Sequence, residues 1–496
     1  MGLPITRENF DEEHYRQFGE RLTSSLAALD ELLQRPGFGN GTQSLGAEME
    51  LSIIDGKGQA LPINRAVLNQ CLSEHLQLEL DRFNLEYNLT PVALTGRPFS
   101  HLEGQLEKAL AVLEHSANSL GGRIVPIGIL PTLRLNELDS SVMSDLPRYR
   151  ALSAGLRRLK KGPFVIQIDG AEPLSVTCQD VTLEGAATSF QIHLRVDPNT
   201  FANIYNAAQL ATPLVLALSA NSPTFLGQRL WDETRVALFK QAIDSRKFDE
   251  HDWHPPSRVS YGFGWVRKGA FELFAEAVGL FPPLLPVLGK EDPLDRLAKG
   301  HLPKLEELRL HQGTVWRWNR AIYDSHDNGH IRIELRALPS GPTPIDMVAS
   351  AAFLIGLILG LSRRIETLLP LFPFDYAHRN FYQAAQFGVD ATLLWPTLAV
   401  GGPKEVTVCA LAEELLPIAQ EGLGEAGVNQ QEIDRLLHVI RRRIQTKITG
   451  ARWQLWMLDR LEKTMDRSAA LSGMLEKYLA NSQTGVPVSE WSREMP

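Results

Sequence analysis

Apolar and polar residues alternate in several separated stretches of the chain. In "LGAEMELSII", residues 45–54, Leu45, Ala47, Met49, Leu51 and Ile53 fall on one face, and Gly46, Glu48, Glu50 and Ser52 on the other. A period of two predicts a strand over 46–54 with both carboxylates on the same side. The pattern recurs in 188–197, where Phe190, Ile192, Leu194 and Val196 oppose Gln191, His193, Arg195 and Asp197. In 330–338, Ile331, Ile333 and Leu335 oppose Arg332, Glu334 and Arg336, and in 84–90, Leu85, Tyr87 and Leu89 oppose Glu86 and Asn88. Short strands are also predicted over 77–82, with Glu79 and Asp81 sharing a face, and in "RIVPIGIL", broken at Pro126.

Helical periodicity fills the gaps. It predicts an amphipathic helix over 8–34, stopped by Pro36 and Gly37. "SHLEGQLEKALAVLEHSANSLGG" carries a Ser100/Glu103 capping box, "RYRALSAGLRRLKKG" is a further helix, and 206–223 is a largely apolar one. The longest apolar run, "MVASAAFLIGLILGL" (347–361), is preceded by a helix start at Thr343, Pro344 and Asp346 and closed by Arg363 and Arg364. It is shorter than the ~20 residues of a membrane span, so it reads as a buried core helix. From about 376 onward the pattern is helical throughout. Strands with one wet face, spaced by long helices, predict an α+β fold: an antiparallel sheet with helices packed on one face. The expected division is a catalytic unit over 1–375 and a helical region over 376–496.

Composition changes this picture little. The chain has 496 residues, 44% hydrophobic and 22% charged, with a net charge of −8. An acidic balance disfavours nucleic acid as a partner, and the short apolar run disfavours a membrane. Cys71, Cys178 and Cys409 are scattered and form no CxxC, which fits a reducing compartment. With no apolar signal core in "MGLPITRENFDEEHYRQF", a cytoplasmic location is expected.

The polar faces carry the chemistry. Glu48, Glu50, Glu79 and Glu86 have no lysine on their strands. If those strands are neighbours, the acids converge and repel unless cations sit between them. Several carboxylates with a single imidazole, His193, suit Mg²⁺ or Mn²⁺ better than Zn²⁺. Arg195 and Arg336 then read as clamps for a phosphate or another anion. Other chemistries lack their motifs: there is no P-loop, no Rossmann GxGxxG after a strand, no GxSxG elbow, no HExxH and no kinase set. "HDWH" (251–254) and "HDNGH" (326–330) read as surface or turn segments, "RRRIQTK" (441–447) as a solvated helix face, and the tryptophans of "VWRWNR" (315–320) as core or stacking residues.

Five segments together resemble the glutamate–cysteine ligases and related carboxylate–amine ligases. They are "GAEMEL", "ELDRFNLEYNLTP", "ALSANSPTFLG" with Arg235 beyond it, "IRIELRALPSGPTPIDM" and "NFYQAAQFGVDATL". The resemblance covers roughly 40–395 and implies a glutamine synthetase-like fold with ATP in a funnel over the concave face of the sheet. It implies one Mg²⁺ on Glu48, His193 and Glu334 and another on Glu50, Glu79 and Glu86, with Asp81 as an alternative to Glu79. It also implies Arg336 at the transferred phosphoryl group and Arg235 at the substrate α-carboxylate. The expected reaction phosphorylates the γ-carboxylate of glutamate and joins it to an amine, cysteine in the first instance. Three alternatives stay open: a different amine, a non-catalytic relative that binds nucleotide or amino acid, and a guanidino kinase of related fold.

Overall fold

The computed structural model describes residues 5–246, 255–397 and 401–492; the "HDWH" segment lies outside them. Its centre is an antiparallel sheet of eight strands: β1 (Ser44–Ile54), β2 (Leu76–Leu78), β3 (Asn84–Asn88), β4 (Val92–Ala93), β5 (Arg123–Val125), β6 (Phe190–Val196), β7 (Asn319–Asp324) and β8 (His330–Leu335). The order is β7–β8–β6–β1–β3–β2, with β4 and β5 also on β1. The long β1 is flanked by β3 and β4, and by β6 and β5.

Register follows from the alternation. Burying Leu45, Ala47, Met49 and Leu51 of β1 against Ile192 and Leu194 of β6 and Ile333 and Leu335 of β8 turns every polar partner to the opposite face. A slip of one residue would bury Glu48 and Glu50 in that core, so the hydrophobic pattern fixes which acids meet. The apolar face packs into a core running from Phe18 to Ile444, which includes the helices Pro98–Asn118, Phe201–Ser219 and Pro344–Ser362. A second core, from Ile54 to Trp491, takes in the helices Gly450–Leu461 and Arg467–Ser482. The helices beyond 376 are therefore built into the same cores as the sheet.

Two helices, Phe201–Ser219 and Pro344–Ser362, are long and apolar enough to cross a membrane, yet 89% and 94% of their apolar windows are buried inside the protein. Pro344–Ser362 exceeds the apolar run because its cap adds a turn: Thr343 Oγ1 accepts from Asp346 N at 3.2 Å. Gly356, Gly360 and Gly422 let this helix touch Val408–Glu425 backbone to backbone. A β-carbon on Gly422 would collide with the Gly356 carbonyl and the Gly360 amide.

Several expectations are corrected. The second predicted strand stops at Leu78, because residues 79–82 turn away to bond the 142–144 segment. The 319–324 strand, a ribbon pairing 164–168 with 174–178, and another pairing 392–395 with 404–407 all went unpredicted. The last of these breaks the supposed all-helical C-terminal region. The Ser100/Glu103 capping box does not form. The helix begins at Pro98, the Ser100 amide donates to Glu432 at 2.6 Å, and Glu103 pairs with Arg435 at 2.6 Å. Within "RRRIQTK", Arg443 is buried rather than solvated and donates to Asp346 at 2.8 Å and to the Leu218 carbonyl at 3.0 Å.

Candidate active site

The polar face of the sheet gathers charges in rows. His193 lies between Gly46 of β1 and Glu334 of β8. Glu48 lies between Gln191 and Asn88, and Glu50 is opposite Glu86. Gly46 places no side chain beside the imidazole. Six predicted residues thereby fall into two triads. Glu48, His193 and Glu334 offer ligand atoms all within 4.8 Å of one another, as do Glu50, Glu79 and Glu86. Strand residues contribute five; Glu79 reaches in from the turn after β2, where its carboxylate accepts from the Leu80 amide at 3.1 Å.

The triads differ electrically. In the first, His193 Nε2 is 2.9 Å from Glu48 Oε1 and 3.9 Å from Glu334 Oε1. Arg332 donates to His193 Nδ1 at 3.1 Å, which leaves the ring proton on Nε2, facing Glu48. Arg320 grips Glu334 with two bonds of 2.7 and 3.1 Å, and Arg336 donates to it at 3.2 Å and to Gln191 at 2.7 Å. Burial works against the Glu334 carboxylate, but Arg320 and then Arg336 hold it well below the usual range. Burial likewise opposes charge on Glu48, and His193 draws it back below its ordinary value.

The second triad has less relief: Arg336 draws Glu50 down but does not offset its burial. Glu50 accepts from the Ser189 amide at 2.6 Å and from Gln191 at 2.9 Å, yet burial and then Glu79 push it up to about 7. Burial, then Glu48, Glu79 and Glu50, push Glu86 well above its ordinary range. Three carboxylates share this spot, and among the described residues none of them pairs with a lysine or arginine. Five carboxylates and one imidazole form a hard-oxygen donor set that fits Mg²⁺ or Mn²⁺, and divalent charge is what the second triad lacks. Residues 48, 193 and 334 would hold one ion, with Nε2 giving up its proton, and 50, 79 and 86 another.

A cleft of about 300 Å³ opens over the first triad, lined by Glu48, Asn88, His193, Arg195, His326 and Arg332 among others. "HDNGH" forms its rim as a turn, with Asp327 and Asn328 at positive φ and His326 bonded to Asp324 at 2.7 Å. Arg195 and Arg332 line this end of the face, Arg332 bonded to Asp324 at 2.7 Å, while the second triad gathers carboxylates at the other end.

Two expected residues stand elsewhere. Asp81 is fully buried and turned from the triad toward Gly185, and neither of its oxygens has a hydrogen-bond partner among the described residues. Glu79, not Asp81, completes the second triad. Arg235 is buried in the first turn of the Thr234–Ala242 helix, its Nε donating to Glu233 at 2.6 Å and another guanidinium nitrogen to the Ala337 carbonyl at 2.6 Å. Glu233 also accepts from the Asn221 amide and the Ser222 hydroxyl. The "ALSANSP" segment thus braces the chain just after Arg336. That network is Arg235's observed work.

Sequence reasoning missed Arg320, Gln191 and Glu184. Arg320 shows its role only through its register opposite Glu334. Gln191 was placed on the right face but given no task. Burial, then Glu79 and Glu50, push Glu184 up to about 8; nothing in its local sequence marks it.

The glutamate–cysteine ligase family 2 model matches residues 44–477. No curated protein sequence matches the chain. Among solved structures, the chain is similar to a glutamate–cysteine ligase of Francisella tularensis in complex with AMP, at 10% identity and a TM-score of 0.49, covering 92% of this chain and 96% of that one. It is also similar to a bifunctional glutathione synthetase of Pasteurella multocida, at 13% identity and a TM-score of 0.47, covering 93% of this chain and 55% of that one. A third similarity is to the complex between the prokaryotic ubiquitin-like protein Pup and its ligase PafA, at 10% identity and a TM-score of 0.37, covering 87% and 72%.

Proposed function

Because the chain belongs to glutamate–cysteine ligase family 2, we propose that it is an ATP- and Mg²⁺-dependent carboxylate–amine ligase that activates the γ-carboxylate of glutamate and joins it to the amine of cysteine. The single observation that carries this reading is the pairing of two acid triads on one face of the sheet, with an arginine, Arg336, bonded between Gln191 and Glu334.

The residues suit the chemistry. A carboxylate is a poor acyl donor at neutral pH. Attack of its oxygen on the γ-phosphorus of ATP releases ADP and leaves an acyl phosphate. The amine then attacks the carbonyl carbon and expels inorganic phosphate. Neither step needs a nucleophile from the protein; both need anions held against each other. Divalent ions, when bound, would supply the charge that lets phosphate and carboxylate oxygens approach. Arg195 and Arg332 at the cleft suit the phosphate-bearing substrate. Arg336, already fixed by two partners, can stabilise charge building on the transferred group without reorganising. Glu334, held ionised by Arg320, keeps one anionic ligand ready whether or not a cation is present.

The test is ADP release with Mg²⁺, ATP and L-glutamate against a panel of amines. Cysteine is expected to give the highest kcat/KM, with inorganic phosphate released in equal amount. Turnover with another amine and none with cysteine would remove the specific assignment. No turnover with any acid–amine pair would remove the enzyme.

A further inference from the structure

The polar face runs in rows across the strands. Glu334 and His193 share one row, with Arg320 beyond Glu334. Glu50 and Glu86 share another. Between them lies a row in which Glu48 pairs with Gln191 on one side and Asn88 on the other. Arg336 follows Leu335, which pairs with Ile192, so β8 brings it alongside Gln191. Gln191 therefore stands on β6 between the two triads, and it is 2% exposed.

Both ends of its side chain are engaged. Oε1 accepts from Arg336 Nη1 at 2.7 Å, and Nε2 donates to Glu50 Oε1 at 2.9 Å. The same Arg336 nitrogen donates to Glu334 at 3.2 Å. A continuous chain of bonds thus runs from Glu334 of the first triad, through Arg336 and Gln191, to Glu50 of the second. The amide has one workable orientation. A guanidinium offers no acceptor and a carboxylate no donor, so a flipped amide would set donor against donor and acceptor against acceptor. Other residue types serve one neighbour at the expense of the other. A glutamate would accept from Arg336 and repel Glu50, a lysine would do the reverse, and an aliphatic side chain would leave both buried groups short of a partner. Glu50 keeps the Ser189 amide at 2.6 Å as a further donor, and Arg336 keeps Glu334.

We propose that Gln191 is a positioning residue that joins the two triads into one unit: it fixes the Arg336 guanidinium at their boundary and holds the Glu50 carboxylate in place as a ligand of the second cation. This rests on the ligase reading and deepens it, since both the arginine and an ion site then answer to one neutral side chain. Outer-shell partners of this kind typically set metal affinity by about 10- to 100-fold. Among the described residues Gln191 bonds no member of the first triad, so its loss should fall on the second. The arginine half is separable, because filling both sites with cation does not restore the anchor of Arg336.

Mn²⁺ titration of the full-length protein, read by the electron paramagnetic resonance of the free ion, tests it. A Glu86→Ala background isolates the first triad and a Glu48→Ala background the second. Gln191→Met, close to glutamine in size, should weaken Mn²⁺ about 10- to 100-fold in the Glu48→Ala background and leave the Glu86→Ala background unchanged. Gln191→Asn, a methylene too short to reach both partners, should show the same selectivity and serves if the methionine variant does not fold. With Mn²⁺ saturating both sites, kcat for ADP release should stay low in Gln191→Met and recover partly in Gln191→Glu, which keeps the acceptor for Arg336; a folding defect would lower both alike. Equal weakening at both triads, no weakening at either, or no Mn²⁺ binding by wild type overturns the proposal, and a wild-type kcat in Gln191→Met at saturating Mn²⁺ overturns its arginine half. The titration needs no substrate, so the two readings separate: selective loss without turnover on any acid–amine pair removes the ligase and keeps the link, and turnover without selectivity removes the link and keeps the ligase.

Discussion

Arg320→Gln probes the cation claim through stability, with no substrate needed. Arg320 and Glu334 are both buried, joined by bonds of 2.7 and 3.1 Å. Removing one partner of such a pair typically costs about 3–5 kcal/mol, most of it the penalty of stranding the other charge. Glu334 is not wholly stranded, since Arg336 remains at 3.2 Å and His193 at 3.9 Å. The expected loss in EDTA is therefore about 2–3 kcal/mol, just below that range. A divalent ion on Glu48, His193 and Glu334 supplies the missing charge. At a hundredfold excess over its Kd it stabilises any protein by about 2.7 kcal/mol, and it should help the variant more than wild type, because Arg320 no longer competes for Glu334. Urea unfolding followed by tryptophan fluorescence, with EDTA and then with saturating Mg²⁺, measures both gaps. The gap between wild type and variant should shrink to under about 1 kcal/mol with Mg²⁺. A gap that is unchanged by Mg²⁺, or absent in EDTA, refutes the reasoning.

Three further predictions concern the frame that holds the site. His311 is buried, donates to the Ala277 carbonyl at 2.9 Å, and burial pushes its pKa from 6.5 to about 4. Its neutral form is the folded form, so this stabilisation is complete above pH 6.5 and falls away as pH drops toward 4; between pH 7 and 5 it should remove about 2 kcal/mol. Urea midpoints at the two pH values should show that loss in wild type and not in His311→Gln; equal slopes would contradict it. Gly356→Ala should cost about 2–3 kcal/mol, since its β-carbon would strike the Ala419 carbonyl and force two core helices apart; an unchanged melting temperature would contradict it. Tyr478→Phe removes a buried hydroxyl that donates to the Pro126 carbonyl and accepts from Asn221, each at 2.9 Å. It should cost about 1–2 kcal/mol by calorimetry, and a neutral effect would show that water replaces the hydroxyl.

The site was more legible than the frame. Four alternating strands announced which side chains share a face, because a period of two leaves no other choice once one face is buried. Glu48, Glu50, Glu86, His193 and Glu334 came together for that reason. Glu79 lies past the end of its strand, so alternation could not separate it from Asp81; only the turn that buries Asp81 against Gly185 does. The 319–324 strand hid because Arg320 and Asn319 break its apolar pattern, each being buried through polar partners instead. The 164–168 ribbon strand did alternate, with Phe164, Ile166 and Ile168 inward and Val165 and Gln167 outward, and was readable. A motif fixes the identity and spacing of Arg235 and not the direction of its guanidinium, which bonds Glu233 and the Ala337 carbonyl. Long-range caps such as Glu432 on Ser100 have no local signature.

The most direct measurement is anomalous diffraction from crystals of the full-length protein soaked in Mn²⁺. Two peaks are predicted on the polar face of the sheet, one among Glu48, His193 and Glu334 and one among Glu50, Glu79 and Glu86, both lost from a Glu48→Ala, Glu50→Ala variant that still folds. Bound manganese elsewhere on the chain, with neither triad occupied, would contradict the account.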